Sequence, residues 1–153
     1  MTTTISTKKA LHSQLLQDLN QRIDRLEYSI RETSDSMKND TKSSAGDKFE
    51  TGREMMQIEL NNQHAQLNQL LRLKKDLTLI DPNVKTRTIE FGSLVETSNG
   101  HYFIAVALGK VKVDKTTYYA LSLASPIGQC LKGKKAGDTI SFQGKTMQII
   151  RVT

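Results

Sequence analysis

Two carboxylates three residues apart, Asp47 and Glu50, lie in the pentapeptide Gly46-Asp47-Lys48-Phe49-Glu50. On a helix, residues at that spacing share a face. Carboxylates so placed repel each other unless a cation lies between them. A hard divalent ion such as Mg²⁺ suits them, because it takes carboxylate and water oxygens in an octahedron. One pair cannot complete that octahedron, so the ion would be shared with a second site. The same residues also read as a helix start. Asp at an N-cap with Glu three residues later is a capping-box-like pattern that contributes about 1 kcal/mol and needs no metal. The two readings are compatible, since a cap also fixes the carboxylates in place. Nearby stand Lys38, Lys42, Lys48 and Arg53, cations suited to phosphate groups or, equally, to a solvated helix face.

The elements that position this pair are helical on both sides. His12, Leu16, Leu19, Ile23, Leu26, Ile30, Thr33 and Met37 recur in alternating steps of four and three, a heptad seam that is apolar except at His12 and Thr33. No Gly or Pro interrupts residues 6–40. A second seam runs through Met56, Leu60, Gln63, Leu67, Leu70, Lys74 and Leu77, with Leu71 and Leu73 broadening the stripe. Between them, Asn39-Asp40-Thr41-Lys42-Ser43-Ser44-Ala45-Gly46 has the composition of a loop. Two helices of about thirty residues joined so briefly are expected to fold back antiparallel, as a rod roughly 45 Å long. The expected division is a coiled-coil hairpin over residues 1–81 with its tip near 41–50, ended by Asp81-Pro82-Asn83, and a second domain over 82–153.

The second half changes period. Residues 89–95, 102–108 and 117–124 are strand candidates, and Ser98-Asn99-Gly100-His101 is a hairpin signal. Pro126 opens a short helix reaching Leu131, which Gly133 would end. Residues 139–143 and 146–152 flank Gly144-Lys145 as a closing hairpin. The fold class expected is therefore α+β: a helical hairpin followed by a small, mostly antiparallel β domain.

Charge is distributed to match. Residues 1–81 hold 12 Lys/Arg and 12 Asp/Glu, whereas residues 82–153 hold 10 against 4, so the whole net charge of +6 belongs to the second part. A basic globular part suits nucleic acid or an acidic protein surface, although solubility alone accounts for it equally well. The opening residues have no apolar core of a secretory signal, and no run approaches the roughly 18 apolar residues of a membrane span. The single cysteine, Cys130, excludes an internal disulfide framework and reads as a small core residue. A cytoplasmic protein without membrane contact is expected. His12, His64 and His101 lack metal-ligand spacing to one another or to Cys130, and no Walker loop, G-x-S-x-G or Rossmann glycine pattern occurs.

Residues 125–138 read Ser-Pro-Ile-Gly-Gln-Cys-Leu-Lys-Gly-Lys-Lys-Ala-Gly-Asp. This stretch resembles the C-terminal domain of the bacterial Gre transcript-cleavage factors, in which a Ser-Pro-Ile-Ala start, a Leu-Ile-Gly-Lys middle and a Gly-Asp end open the last two strands. The order of parts agrees as well, and so does the Gly-Asp-x-x-Glu pattern of residues 46–50. The resemblance implies an FKBP-like fold for residues 82–153, without prolyl isomerase activity. It further implies a monomer that binds RNA polymerase through its secondary channel, in the manner of a transcription elongation factor.

In that family the tip acids help hold a second Mg²⁺ shared with the polymerase and orient the attacking water. The backtracked nascent RNA 3′ end is then cut by two-metal phosphodiester hydrolysis. Carried over, Asp47 and Glu50 are the assisting catalytic and metal-binding pair, in a protein that is no enzyme by itself but stimulates the polymerase's own cleavage. Lys42, Lys48, Arg53, Lys132, Lys134 and Lys135 are candidates for contact with RNA or polymerase, and Lys145 joins them near the channel mouth. The family usually continues Asn-Ala-Glu-Tyr after the Glu, whereas this chain has Thr51-Gly52-Arg53-Glu54. Two other readings therefore stand: a non-catalytic regulator or inhibitor occupying the same channel, and a coiled-coil interaction module with an unrelated partner.

Overall fold

The computed structural model describes residues 4–40 and 47–153, with the backbone alone for residue 40 and residues 47–50. Two long helices come first, α1 (Ile5–Asp40) and α2 (Asp47–Thr78). At the start of α1, the Thr4 hydroxyl accepts the Thr7 N–H at 3.2 Å, satisfying one of the donors that every helix leaves open. By packing, the chain divides into two compact units: Met1–Gln17 with Lys75–Thr153, and Asp18–Lys74.

Within the Asp18–Lys74 unit the helices run antiparallel. One groove sets Arg22, Leu26 and Ser29 against Gln66 and Leu70, and a second sets Thr33 and Ser36 against Met55 and Met56. In α2 every position of the expected seam is buried or half-buried, including the polar Gln63 and Lys74, while Leu71 is exposed. In α1 the expected positions are likewise buried or half-buried, but over the early part an additional row is buried more deeply. Leu11, Leu15, Leu19 and Ile23, at four-residue steps, are the buried positions, and His12 and Leu16 are only half-buried. A straight helix buries a four-residue row where it packs closely, in place of the 3.5-residue average of a supercoil. From Leu26 to Met37 the expected positions turn inward, each half-buried.

The other unit carries the sheet. Its strands are β1 (Leu94–Thr97), β2 (Gly100–Ile104), β3 (Gly109–Val113), β4 (Thr116–Leu121), β5 (Thr139–Phe142) and β6 (Lys145–Val152), with the short helix α3 (Pro126–Leu131) before β5. The order across the sheet is β3-β4-β2-β1-β6-β5. All neighbours are antiparallel except β2 and β4, which run parallel. The protein is thus α+β, a helical hairpin followed by a mostly antiparallel sheet. The alternation of strand side chains makes two buried faces. Val95, Ile104, Met147 and Ile149 form one core with Leu131 of α3, while Leu94, Phe103 and Ala120, register partners across three strands, lie on the other. Leu11, Leu15, Leu77 and Ile80, from the helix ends, are buried in the same unit.

Three local expectations are corrected. The first strand begins at Leu94, not at 89, because a turn intervenes: Ser93 N–H donates to the Glu90 carbonyl at 3.0 Å, and Gly92 takes φ +96°. The stretch 102–108 yields a strand only to Ile104, and β3 then forms over Gly109–Val113, where no strand was expected. Its turn is Asp114-Lys115, both at positive φ, a two-residue hairpin geometry usually signalled by Asn-Gly. The closing hairpin turns at Gln143-Gly144, one residue earlier than read. Among the described residues, no helix is long and apolar enough to cross a membrane.

Gln63 and Lys8 are among the polar residues held away from water. Gln63 is 8 % exposed and its Oε1 has no hydrogen-bond partner. A buried unsatisfied polar group costs about 1–3 kcal/mol. Gln63→Leu should therefore stabilise the protein by about 1 kcal/mol or more in chemical denaturation. Lys8 is 1 % exposed, and its Nζ donates to the Val84 carbonyl at 2.7 Å and the Thr153 carbonyl at 3.1 Å. Burial lowers its pKa below 10.5, against the pull of Glu90 and Asp81 in the other direction. The unfolded chain then keeps this proton to higher pH than the native state does, so the lysine's contribution to stability grows as pH rises towards 10.5. Urea denaturation at neutral and alkaline pH should show wild type gaining on Lys8→Met over that interval.

Candidate functional site

Asp47 is the first residue of α2, and Glu50 stands in the same first turn. Their backbone positions share one helix face, at the end of the Asp18–Lys74 unit where the two helices are joined. The side chains of Asp47, Lys48 and Glu50 lie outside the described residues, as do Lys42 and Gly46 altogether. Arg53 is exposed one turn further along. Gly52 sits in open space, since a Cβ built there meets nothing within 4 Å. No packing demand explains a glycine where Ala would favour the helix by up to about 1 kcal/mol.

As a donor set, two carboxylates one turn apart suit a hard cation and leave most of its coordination sphere to water or a partner. Among the described residues, no group of three or more His, Cys, Asp and Glu is placed to hold a metal. One groove below the tip is acidic and apolar. Glu32 and Glu59 line it with Met55 and Met56, in a volume of about 340 Å³. Met55 and Ile58 are more than half exposed. Tyr28, also exposed, is held by a hydrogen bond to Glu32 that raises its pKa, and Arg31 lies 6.0 Å from its ring.

The stretch 125–138 builds a compact turn, helix and strand entry. Ser125 is the N-cap of α3: its Oγ accepts the Gly128 N–H at 3.1 Å and donates to the Ser122 carbonyl at 2.6 Å, while Pro126 occupies the first helical position. Ile127 and Cys130 pack on the core around buried Leu131. Lys132 caps the helix, and Gly133 follows at φ +78°. The backbone then turns outward. Ile89 N–H donates to the Lys134 carbonyl at 2.8 Å, and Lys135 N–H donates to Asp138 Oδ2 at 2.9 Å. Lys132, Lys134, Lys135 and Lys145 are all exposed. Of these, Lys135 joins a basic cleft with Lys85, Arg87 and Arg151. Those three residues carry no local sequence signal of a site, because they are brought beside Lys135 only by the Thr88–Lys135 bridge and the end of β6.

No protein-family model matches the chain, and no curated protein does either. Among solved structures the chain is similar to one described as the structure of the transcription factor Gfh1, with 20% identity across 90% of this chain and 92% of the other, at a TM-score of 0.35. A score of 0.35 is too low for that likeness to bear on fold or function.

Gly128 is closely packed by the turn before α3. A Cβ there would overlap the Ser122 carbonyl oxygen and stand 2.9 Å from both the Leu123 carbonyl oxygen and Ser125 Oγ. Gly128→Ala should lower stability by about 1–3 kcal/mol, as overpacking does, read as a drop in the denaturation midpoint.

Proposed function

We propose that this chain is a Gre-like transcription factor that binds RNA polymerase through its secondary channel and promotes cleavage of backtracked RNA. The reading is supported by the motif at residues 125–138, by the order of helical hairpin and sheet, and above all by one observation. Asp47 and Glu50 occupy the first turn of α2, next to the connection between two long antiparallel helices. A narrow helical element ending in two acids suits a site whose remaining parts belong to a partner. Asp47 and Glu50 would hold a Mg²⁺ ion shared with the polymerase, and the bound ion would supply a polarised water and charge neutralisation at the scissile phosphate. The acids' own part is to position the ion and orient the water from a rigid helix start. Lys48 and Arg53, with Lys42, are the cations nearest to them in sequence for the phosphates of the RNA 3′ end. The protein acts in this reading as a monomer in the cytoplasm and is no enzyme alone.

A second reading has a specific observation behind it. Gly52 is not required by packing and weakens the helix start, so the tip departs from the family where a catalytic pair needs rigidity. A non-catalytic regulator would bind the same channel and slow initiation or elongation. The discriminating experiment uses a backtracked polymerase–RNA complex. The wild-type protein should shorten the RNA, and the double variant Asp47→Ala, Glu50→Ala should lose about 10²-fold or more of that stimulation while still binding polymerase. Binding with inhibition and no cleavage selects the regulator; undiminished cleavage by the double variant removes the acids from the mechanism. Light scattering that gave twice the mass of one chain would favour a dimeric interaction module.

A further inference from the structure

The sheet-bearing unit contains an open cleft of about 980 Å³. Lys85, Arg87, Lys135 and Arg151 line it, all four exposed, with the apolar Ile5 and Val152 in its walls. The cations come from separate parts of the chain: the segment before β1, the turn after α3, and β6. Their frame is fixed. Thr88 bridges to Lys135, the Gly133 N–H donates to the Ile89 carbonyl at 2.8 Å, and the Thr86 hydroxyl lies 2.6 Å from Ser93 Oγ. Among the described residues, no Asp or Glu lines the cleft. Glu96 is the register partner of Arg151 across β1 and β6, and Asp138 accepts the Lys135 backbone N–H.

We propose that this cleft binds the phosphodiester backbone of a nucleic acid without reading its sequence. Four cations spread over such a volume exceed what one phosphate can use and suit a succession of them. Arginine forks and neighbouring hydroxyls are the usual partners of phosphate oxygens. Among the described residues no aromatic ring lines the cleft, so bases have no platform there on which to stack, and contact is confined to the backbone. Exposed, hydrated lysines and arginines give affinity chiefly through counterion release, which an acidic protein surface with scattered carboxylates supplies far less of. The cleft lies in the unit holding residues 75–153, so the inference stands apart from the role proposed for Asp47 and Glu50.

The test uses the full chain and fluorescence anisotropy, with labelled single-stranded RNA of two scrambled sequences and a labelled DNA duplex. Both RNA sequences should bind equally. With about four phosphate contacts, the slope of log K against log salt should be about −3 between roughly 50 and 200 mM. The triple variant Lys85→Glu, Arg87→Glu, Lys135→Glu should bind at least about 10-fold more weakly and with a slope shallower by about 2. Lys110→Glu, Lys112→Glu on β3 alters charge outside the cleft and should leave affinity within about 2-fold. Thermal unfolding checks that every variant is folded, and the wild-type salt slope stands whatever the triple variant does. The relative affinities for RNA and duplex identify the source of the backbone. An equal loss in the β3 variant, sequence-dependent binding, a flat salt response, or polyglutamate competing as strongly as RNA would overturn the assignment.

Discussion

A buried ammonium group anchors the sheet-bearing unit. Lys8 reaches two carbonyl oxygens, of Val84 and Thr153, from inside the first turns of α1. A charge taken from water is tolerated only where such acceptors are held for it. Those acceptors belong to the segment leading into the sheet and to the residue after β6, so the lysine fixes the start of α1 against both. One helical turn later His12 Nε2–H donates to the Leu77 carbonyl at 2.8 Å, which also accepts the Ile80 N–H at the end of α2. Leu11, Leu15, Leu77 and Ile80 are buried around these contacts. Towards the connection between the helices the seams hold only half-buried residues, such as Thr33, Met37, Met56 and Leu60. Packing stability is therefore graded along the hairpin, greatest where the helix ends meet the sheet unit.

That grading explains which parts of the fold were legible in the sequence. The α2 seam was readable because a two-helix contact selects a single stripe, and even Gln63 and Lys74 fell on it. The α1 seam was readable in full only from Leu19 onward. Before that point the helix packs in the unit that also holds the sheet, and the additional buried row through Leu11 and Leu15 has no counterpart in a heptad. The Ser125-Pro126 start of α3 was legible because cap chemistry is local. β3 was not, because its turn residues, Asp114 and Lys115, are poor indicators of the positive φ they adopt. The first strand was misplaced because Gly92 and the Ser93 hydroxyl fold a turn into an apolar run.

The acids and the basic cleft differ in the same way. Asp47 and Glu50 are close in sequence, so their shared helix face follows from spacing alone. Lys85, Arg87, Lys135 and Arg151 are dispersed over 67 positions, and only the bridge between Thr88 and Lys135 and the return of β6 bring them together. The excess positive charge of the second half was visible from composition, but its concentration at one cleft is a product of topology. Cys130 shows the opposite case: a residue with many possible chemistries that the structure assigns to packing.

The contact between Lys8 and Thr153 spans 145 positions. Contacts of such separation are entropically expensive to close, and they slow the search for the native state. The antiparallel helices and the β1–β2, β3–β4 and β5–β6 hairpins can each form from neighbouring segments. Lys8 can meet Val84 earlier, but its second acceptor, Thr153, is in place only once β6 has paired with β1. Completion of this fold therefore waits on its most distant pairing, and a chain interrupted before the last strand would leave the lysine with one of its two acceptors.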